Sequence, residues 1–336
     1  MRDACGQQFD VPDGYLNTAS IGIPPRVAGD AVAEAVERWR RGEARPPDYD
    51  VHVETARRAW ARLVGVGEHD VAIGASVSQL IGLVAASLPV STRVLTVRNE
   101  FTSVSFPFAA RGMSVTEVSS EDLLSHVDDH DLVAVSVVQS ADGTVVDLAG
   151  LAASGKAVVL DVTQAAGWMP LRLGWADWVV GAGYKWLLAP RGTAWLATGR
   201  GALERTIPMA ANWFAAAERW DGIYGLPLRL AEDARRLDVS PAWFAQVGAA
   251  ASMPWLADLD PDTVRDHCVG LADATLDGLG LPRRGSAIIS VDFTADQAQR
   301  LAEAGVVGSI RAGRTRLGFH LYNTTADVEL VLDSTR

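Results

Sequence analysis

Val158-Val159-Leu160-Asp161-Val162-Thr163-Gln164-Ala165-Ala166-Gly167, followed by Gly181-Ala182-Gly183-Tyr184-Lys185-Trp186, decides the fold and points to the chemistry. The β-branched apolar run reads as a buried strand. It delivers an acid at its end, where a carboxylate is costly unless a fixed partner meets it. Further along, Lys185 stands among glycines and beside Trp186, with Leu187-Leu188 following. Lysines are normally solvated. One placed here loses its proton readily and becomes a nucleophile.

Such a pair suits pyridoxal 5'-phosphate, whose ring nitrogen is kept protonated by a carboxylate and whose aldehyde forms a Schiff base with lysine. Asp161-x-x-Gln164-Ala165, then Lys185-Trp186-Leu187 and Pro190-Arg191-Gly192, resembles the class V aminotransferase and cysteine desulfurase-like family of fold-type I pyridoxal-phosphate enzymes. That family has isopenicillin N epimerase-like and kynureninase-like branches. The likeness runs from Tyr15 to about Glu329. It implies that Lys185 carries the cofactor as an internal aldimine and later moves the Cα proton as general base. Asp161 would make the ring an electron sink, and Gln164 would donate to the phenolic oxygen. Ser140 stands where many relatives have Asn facing that oxygen. Gly183-Tyr184 replaces the common Ser-His before the lysine, leaving the Tyr184 phenol as the donor to the phosphate.

Outward from this pair, short apolar strands alternate with helical stretches. Strands are expected at Val71–Ile73, Arg93–Val97, Ser114–Val118, Leu132–Val138, Ala157–Leu160, Trp178–Val180 and Thr193–Leu196. The alternation implies an α/β fold, a mostly parallel mixed sheet flanked by helices. Before it, a helix after Pro24-Pro25 places Val27, Ala31, Val32, Ala35, Val36 and Trp39 on one face, and a second spans Val53 to Val64. After Pro241 come helices 244–257 and 261–279, strand Ala287–Asp292, helix Ala295–Ala304, strand Thr315–Phe319 and a last helix, a smaller α+β domain. The expected organisation is an N-terminal segment 1–25 packing on the small domain, a large cofactor-binding domain 26–240 and a small domain 241–336.

Further site residues follow the same frame. Gly74-Ala75-Ser76-Val77-Ser78 lies between a strand and a helix, where backbone N–H groups and a hydroxyl make an anion site. Ser76 taken alone reads as a helix cap; the order of motifs in the family implies that Ala75 and Ser76 grip the phosphate. Phe101, after the next strand, is a core phenylalanine by itself and a ring-stacking residue by the resemblance. Arg314-Thr315-Arg316-Leu317-Gly318-Phe319-His320-Leu321-Tyr322-Asn323-Thr324 resembles the family's C-terminal signature, with Gly318 where Ser is usual. It implies that Arg316 clamps the substrate α-carboxylate in a two-pronged fashion; Arg311 and Arg314 nearby read as solvated, with a second acid group as the alternative partner of either. Trp213 is expected near the substrate. Arg235-Arg236-Leu237-Asp238-Val239-Ser240-Pro241 reads equally as a turn before a helix and as the family segment in which Ser240 reaches the neighbouring subunit's cofactor. The second reading implies a homodimer with a composite active site.

Several alternatives fall away. His126 and His130 among aspartates lack the helix and glutamate of a metalloprotease, and no metal site is expected. Gly181-x-Gly183 lacks the third glycine of a dinucleotide fingerprint. In 336 residues, 49% hydrophobic and 21% charged, a net charge of −11 argues against nucleic acid or an acidic membrane as partner. Cys5 and Cys268 are too few for a disulfide framework. Neither a signal peptide nor a spanning segment is visible, so the cytoplasm is the default. Residues 306–315 contain no cysteine, which disfavours a persulfide-forming desulfurase. The expectation is a class V aminotransferase-type enzyme acting on an amino acid. The alternatives are a C–S or C–C β-lyase, an epimerase, or a non-catalytic relative used as a binding protein.

Overall fold

The first element was not expected from the sequence. In the computed structural model, which describes residues 1–199 and 201–336, β1 (Arg2–Ala4) and β2 (Gln7–Phe9) form an antiparallel hairpin. Its turn places Cys5 and Gly6 at positive φ, a conformation costly for the cysteine. Three-residue strands are too short to show a period-two pattern.

The helices α1 (Arg26–Arg40) and α2 (Asp50–Val64) precede the central sheet. Then come β3 (Val71–Gly74), α3 (Val77–Ser87), β4 (Arg93–Val97), α4 (Thr102–Ala110), β5 (Ser114–Val118) and β6 (Leu132–Ser136). The large domain continues with α5 (Leu148–Ala153), β7 (Ala157–Asp161), β8 (Trp178–Ala182), β9 (Ala194–Thr198) and α6 (Ala202–Arg205). The seven strands lie in the order β3-β9-β8-β7-β6-β4-β5. Only β9 runs antiparallel to its neighbours. Strands β3, β6, β7, β8 and β9 are buried along nearly their whole length, as apolar runs covered on both faces require. Because β9 reverses direction twice over, β3 points the same way as β4, β6, β7 and β8. Their C-terminal ends therefore meet along one edge, where open α/β sheets place ligands.

The chain closes with α7 (Trp243–Asp258), α8 (Pro261–Gly278), β10 (Ile288–Val291), α9 (Ala295–Glu303), β11 (Ser309–Arg311), β12 (Arg314–Gly318) and α10 (Thr325–Thr335). A three-stranded antiparallel sheet, β10-β12-β11, carries the small domain's core. Leu16 sits in that core, and bridges join Tyr15 to Val307 and Asn17 to Gly318. Helix α7 packs on α1 and α2, so it lies against the large domain's helices.

The α1 stripe differs from expectation at its ends. Trp39 is 62% exposed and Val27 is also exposed, although Ala31, Val32, Ala35 and Val36 are half-buried. Helical period fixes which residues share a face; it does not fix how much of that face its neighbour covers. No helix among the described residues is long and apolar enough to cross a membrane.

Candidate active site

A cavity of about 260 Å³ opens at the C-terminal edge of the sheet. Ala75, Ser76, Phe101, Asp161, Gln164, Tyr184 and Lys185 all line it, together with Ser136, Ser140, Thr163 and Arg191. Asp161 closes β7 and is 4% exposed. One oxygen accepts the Thr163 N–H at 2.8 Å. Burial pushes its carboxyl up to about 6, with Glu100 adding to the shift and Thr163 and Lys185 opposing it. Lys185 is 5% exposed. Its Nζ lies 5.2 Å from the Phe101 ring centre and 5.7 Å from that of Tyr184. Burial pushes the ammonium down to about 8; Asp161 opposes this while Arg316, Arg311 and Arg191 reinforce it. Each charge is thus held in a setting that weakens it.

The anion end is built as a helix start. Ser76 caps α3, its Oγ accepting the Gln79 N–H at 3.3 Å, and the Gln79 side chain in return accepts the Ala75 N–H at 3.0 Å. The N–H groups of the first turn have no intrahelical acceptor and face the cavity's end. Arg191 lies 4.8 Å over the Tyr184 ring and forms no ion pair among the described residues. Sequence reasoning quoted it in the Pro-Arg-Gly motif without a role. A cation at the cavity wall was the signal.

Three further residues have different surroundings from those expected. The Gln164 amide nitrogen donates to Ala19 O and to Ser140 Oγ, each at 3.0 Å, and its oxygen accepts from Trp186 Nε1 at 2.8 Å. Its polar atoms are therefore already engaged. Ser140, expected only as a lost asparagine contact, takes bonds from Gln164 and from Arg316 Nη1 (2.9 Å). With both lone pairs engaged, its hydroxyl proton is the group left for the cavity. Arg316 itself is 2% exposed and reaches the cavity only through Ser140, a placement that strand periodicity does not reveal. Ser20, whose Oγ accepts from Arg316 Nη2 at 2.7 Å, was missed.

Glu100 was missed as well. It is buried and accepts bonds from the Phe101 and Ser136 N–H groups, Ser136 Oγ and Gln139. Strand register places Ser136 beside Asp161, so two acids flank one strand end. Trp213 does not line the cavity. It packs between Phe214 and Trp220, with ring centres at 5.2 and 5.0 Å, half-buried against the large-domain core. Ser240 is exposed and also outside the cavity wall of its own chain. Its position is fixed by buried Asp238, which binds both terminal nitrogens of Arg57 (3.1 and 2.8 Å) and the Ile73 N–H (2.8 Å).

Two devices hold the Lys185 turn. Gly22 donates its N–H to Tyr184 O at 3.0 Å, and a Cβ there would stand 2.0 Å from Lys185 O, so only glycine allows the approach. His320 is stacked between Trp186 and Tyr322, at 5.5 and 5.3 Å. Its Nδ1 accepts the Leu321 N–H, so Nε2 carries the proton and donates to Trp186 O at 2.9 Å. Burial lowers its pKa from 6.5 to about 4. The fold therefore holds the neutral ring, and its contribution is complete above pH 6.5 and lost as pH falls towards 4. A gap of that size corresponds to roughly 3 kcal/mol. Thermal melts should lose stability across that window, and His320→Phe should flatten that part of the slope. An unchanged slope would show that His320 is not the titrating group.

No family model matches the chain. It is 28% identical to an uncharacterized aminotransferase of Bacillus subtilis (strain 168), over 83% of this chain and 82% of that one. It is 25% identical to a kynureninase of Deinococcus radiodurans, over 96% and 89%, and 28% identical to an isopenicillin N epimerase of Streptomyces clavuligerus, over 77% and 72%. Among solved structures, a cystine C–S lyase in complex with cysteine persulfide matches with TM-score 0.86 at 19% identity, covering 97% of this chain and 98% of that one. A cysteine desulfurase of Escherichia coli matches at 0.81 and 20%, covering 97% and 95%. Along most of its length the chain is similar to members of the class V aminotransferase and cysteine desulfurase-like family. Its fold is that of fold-type I pyridoxal-phosphate enzymes, and the proteins it resembles are of the aminotransferase and lyase kinds. The residues fit that cofactor. An acid raised by burial suits a ring nitrogen, a lowered lysine suits an aldehyde, and a helix start suits a phosphate.

Proposed function

We propose that the protein is an aminotransferase of class V type acting on an amino acid, with Lys185 as the residue joined to the cofactor. The observation that carries this reading is the pair Asp161 and Lys185, both buried, both weakened by burial and both facing one cavity. Pyridoxal phosphate, when bound, supplies an electron sink for a charge developing at Cα. The chain's own residues do the rest. Asp161 holds a proton at the ring nitrogen, the first turn of α3 with Ala75, Ser76, Tyr184 and Arg191 receives the phosphate, and Phe101 covers a ring face. Ser140 offers its proton to the cavity. Arg316 receives the α-carboxylate, and the Lys185 amine moves the Cα proton. Neither thiol supports a desulfurase. Cys5 lies in the N-terminal hairpin turn, Cys268 is buried with its pKa pushed up, and neither lines the cavity.

Incubation of the loaded enzyme with single amino acids and an added 2-oxo acid tests the reading. Transfer of the amino group to the acceptor supports it. Release of pyruvate, alanine or a persulfide without transfer would replace it with β-lysis, the second reading, favoured by the kynureninase likeness along 96% of the chain. Inversion alone would indicate an epimerase.

The functional unit we propose is a homodimer in which Ser240 reaches the partner's cofactor phosphate. Its exposure, on a segment pinned by Asp238, supports this. Ser240→Ala should weaken cofactor binding by about 1.5–3 kcal/mol, the range for one hydrogen bond to a charged group. Cofactor affinity should also fall on dilution below the dimer dissociation constant. A monomer with full cofactor affinity would rule the composite site out.

A further inference from the structure

Arg316 is a buried guanidinium with no acid partner among the described residues, an expensive arrangement when left uncompensated. Its Nη1 donates to Ser140 O (2.5 Å) and Ser140 Oγ (2.9 Å), its Nη2 to Ser20 Oγ (2.7 Å). Its Nε is buried without any partner. All the acceptors are neutral oxygens, and burial together with Arg311 pushes the group down to about 10. A two-pronged anion would meet this cation better than three neutral oxygens do.

The two serines are not equally free to give way. Ser140 contributes a backbone carbonyl, and its hydroxyl is also tied to Gln164, which is fixed by Ala19 O and Trp186. Among the described residues the Ser20 hydroxyl has no bond other than the one to Arg316, and the residue is half-buried. Its backbone is pinned on both sides. Ser20 N donates to Asn17 O at 2.9 Å, Gly22 N to Tyr184 O at 3.0 Å, and Ala19 O accepts from Gln164. Rotation about one side-chain bond is enough to release the guanidinium without moving the segment.

We propose that the Ser20 hydroxyl holds the place on Arg316 that a substrate carboxylate oxygen takes, and turns away when the carboxylate binds. This rests on the reading of Arg316 as the carboxylate clamp. Ser20 thereby sets affinity by competition, while Ser140 stays as the fixed wall of the clamp.

The test is calorimetric titration of the cofactor-loaded enzyme with propionate, a carboxylate that has no amino group to react. Ser20→Ala should bind propionate about tenfold more tightly than wild type, since one competing hydrogen bond to a charged group is gone. Ser20→Thr, which keeps the hydroxyl, should stay within about twofold of wild type. Unchanged or weaker binding by a Ser20→Ala protein that melts like wild type overturns the proposal. Arg316→Lys separates the two readings. If it binds propionate as well as wild type, the clamp reading itself fails, and this inference with it. If it loses propionate while Ser20→Ala binds like wild type, the clamp stands and only the role of Ser20 falls.

Discussion

Lys185→Ala should lose turnover by roughly 10⁴-fold or more, because in the proposed function one side chain supplies both the covalent attachment and the proton transfer. The chain offers an unusually clean check, since it contains only two lysines, Lys156 and Lys185. Lys156 stands just before β7, at the sheet edge opposite the cavity, where its Nζ donates to Asp128 O at 3.1 Å. Borohydride treatment of the loaded enzyme should fix the cofactor on the peptide containing Lys185. Label on Lys156, or no label, sinks the assignment. The lowered pKa adds a second readout. The rate at which cofactor-free protein takes up pyridoxal phosphate should rise with pH and level off above about 8, as the amine becomes neutral.

Asp161→Asn is expected to cost turnover by roughly 10²- to 10⁴-fold while leaving cofactor affinity far less affected. The neutral amide cannot hold a proton on the ring nitrogen, whereas the phosphate end at α3 is untouched. A stability measurement separates this from general damage. The folded carboxyl titrates near 6 and its ordinary value is 3.8. A group raised in this way contributes fully below 3.8, and its contribution is lost as pH rises through 6. Cofactor-free wild type should therefore lose roughly 3 kcal/mol across that range, and the cofactor, by meeting the charge, should restore it. The gain in melting temperature on loading should be larger at pH 7 than at pH 4.5, and Asp161→Asn should remove the difference. Equal gains at both pH values in wild type would mean that Asp161 does not face the ring.

Complete burial made the central strands legible in the sequence. Val158 to Leu160 and Trp178 to Ala182 lie between two helical layers, so every position selects an apolar or small residue and the strand is visible as a run. Strands β1, β2 and β11 are three residues each, half solvated, and carry no such run. The cavity wall divides in the same way. Asp161 and Lys185 stand out because an ionisable residue in an apolar setting is costly, and that setting is written in adjacent residues. Arg316 has a local motif, yet its burial is created by Ser20 and Ser140, far away in the chain. Serine is common in loops and carries no mark of such a partner. Trp213 misled for the complementary reason. A tryptophan beside asparagine in a loop looks available, but Phe214 and Trp220 enclose it.

The segment around residues 15–23 has a consequence for the order in which the enzyme is made. Tyr15 pairs with Val307, Asn17 with Gly318, and Thr18 with the Tyr322 hydroxyl, while Ser20 meets Arg316. These contacts join residues separated by about 300 positions, so they carry a large loop-closure cost and need the far part of the chain to be present. On the ribosome, the sheet with Asp161 and Lys185 can assemble long before residue 322 emerges, whereas the arginine clamp and its serine cannot. The nascent chain thus passes through a period in which the strand ending at Asp161 is in place while Arg316 and the His320 that braces the Lys185 turn are still missing. The contacts that bury Arg316 and brace Lys185 are complete only once synthesis has passed residue 322.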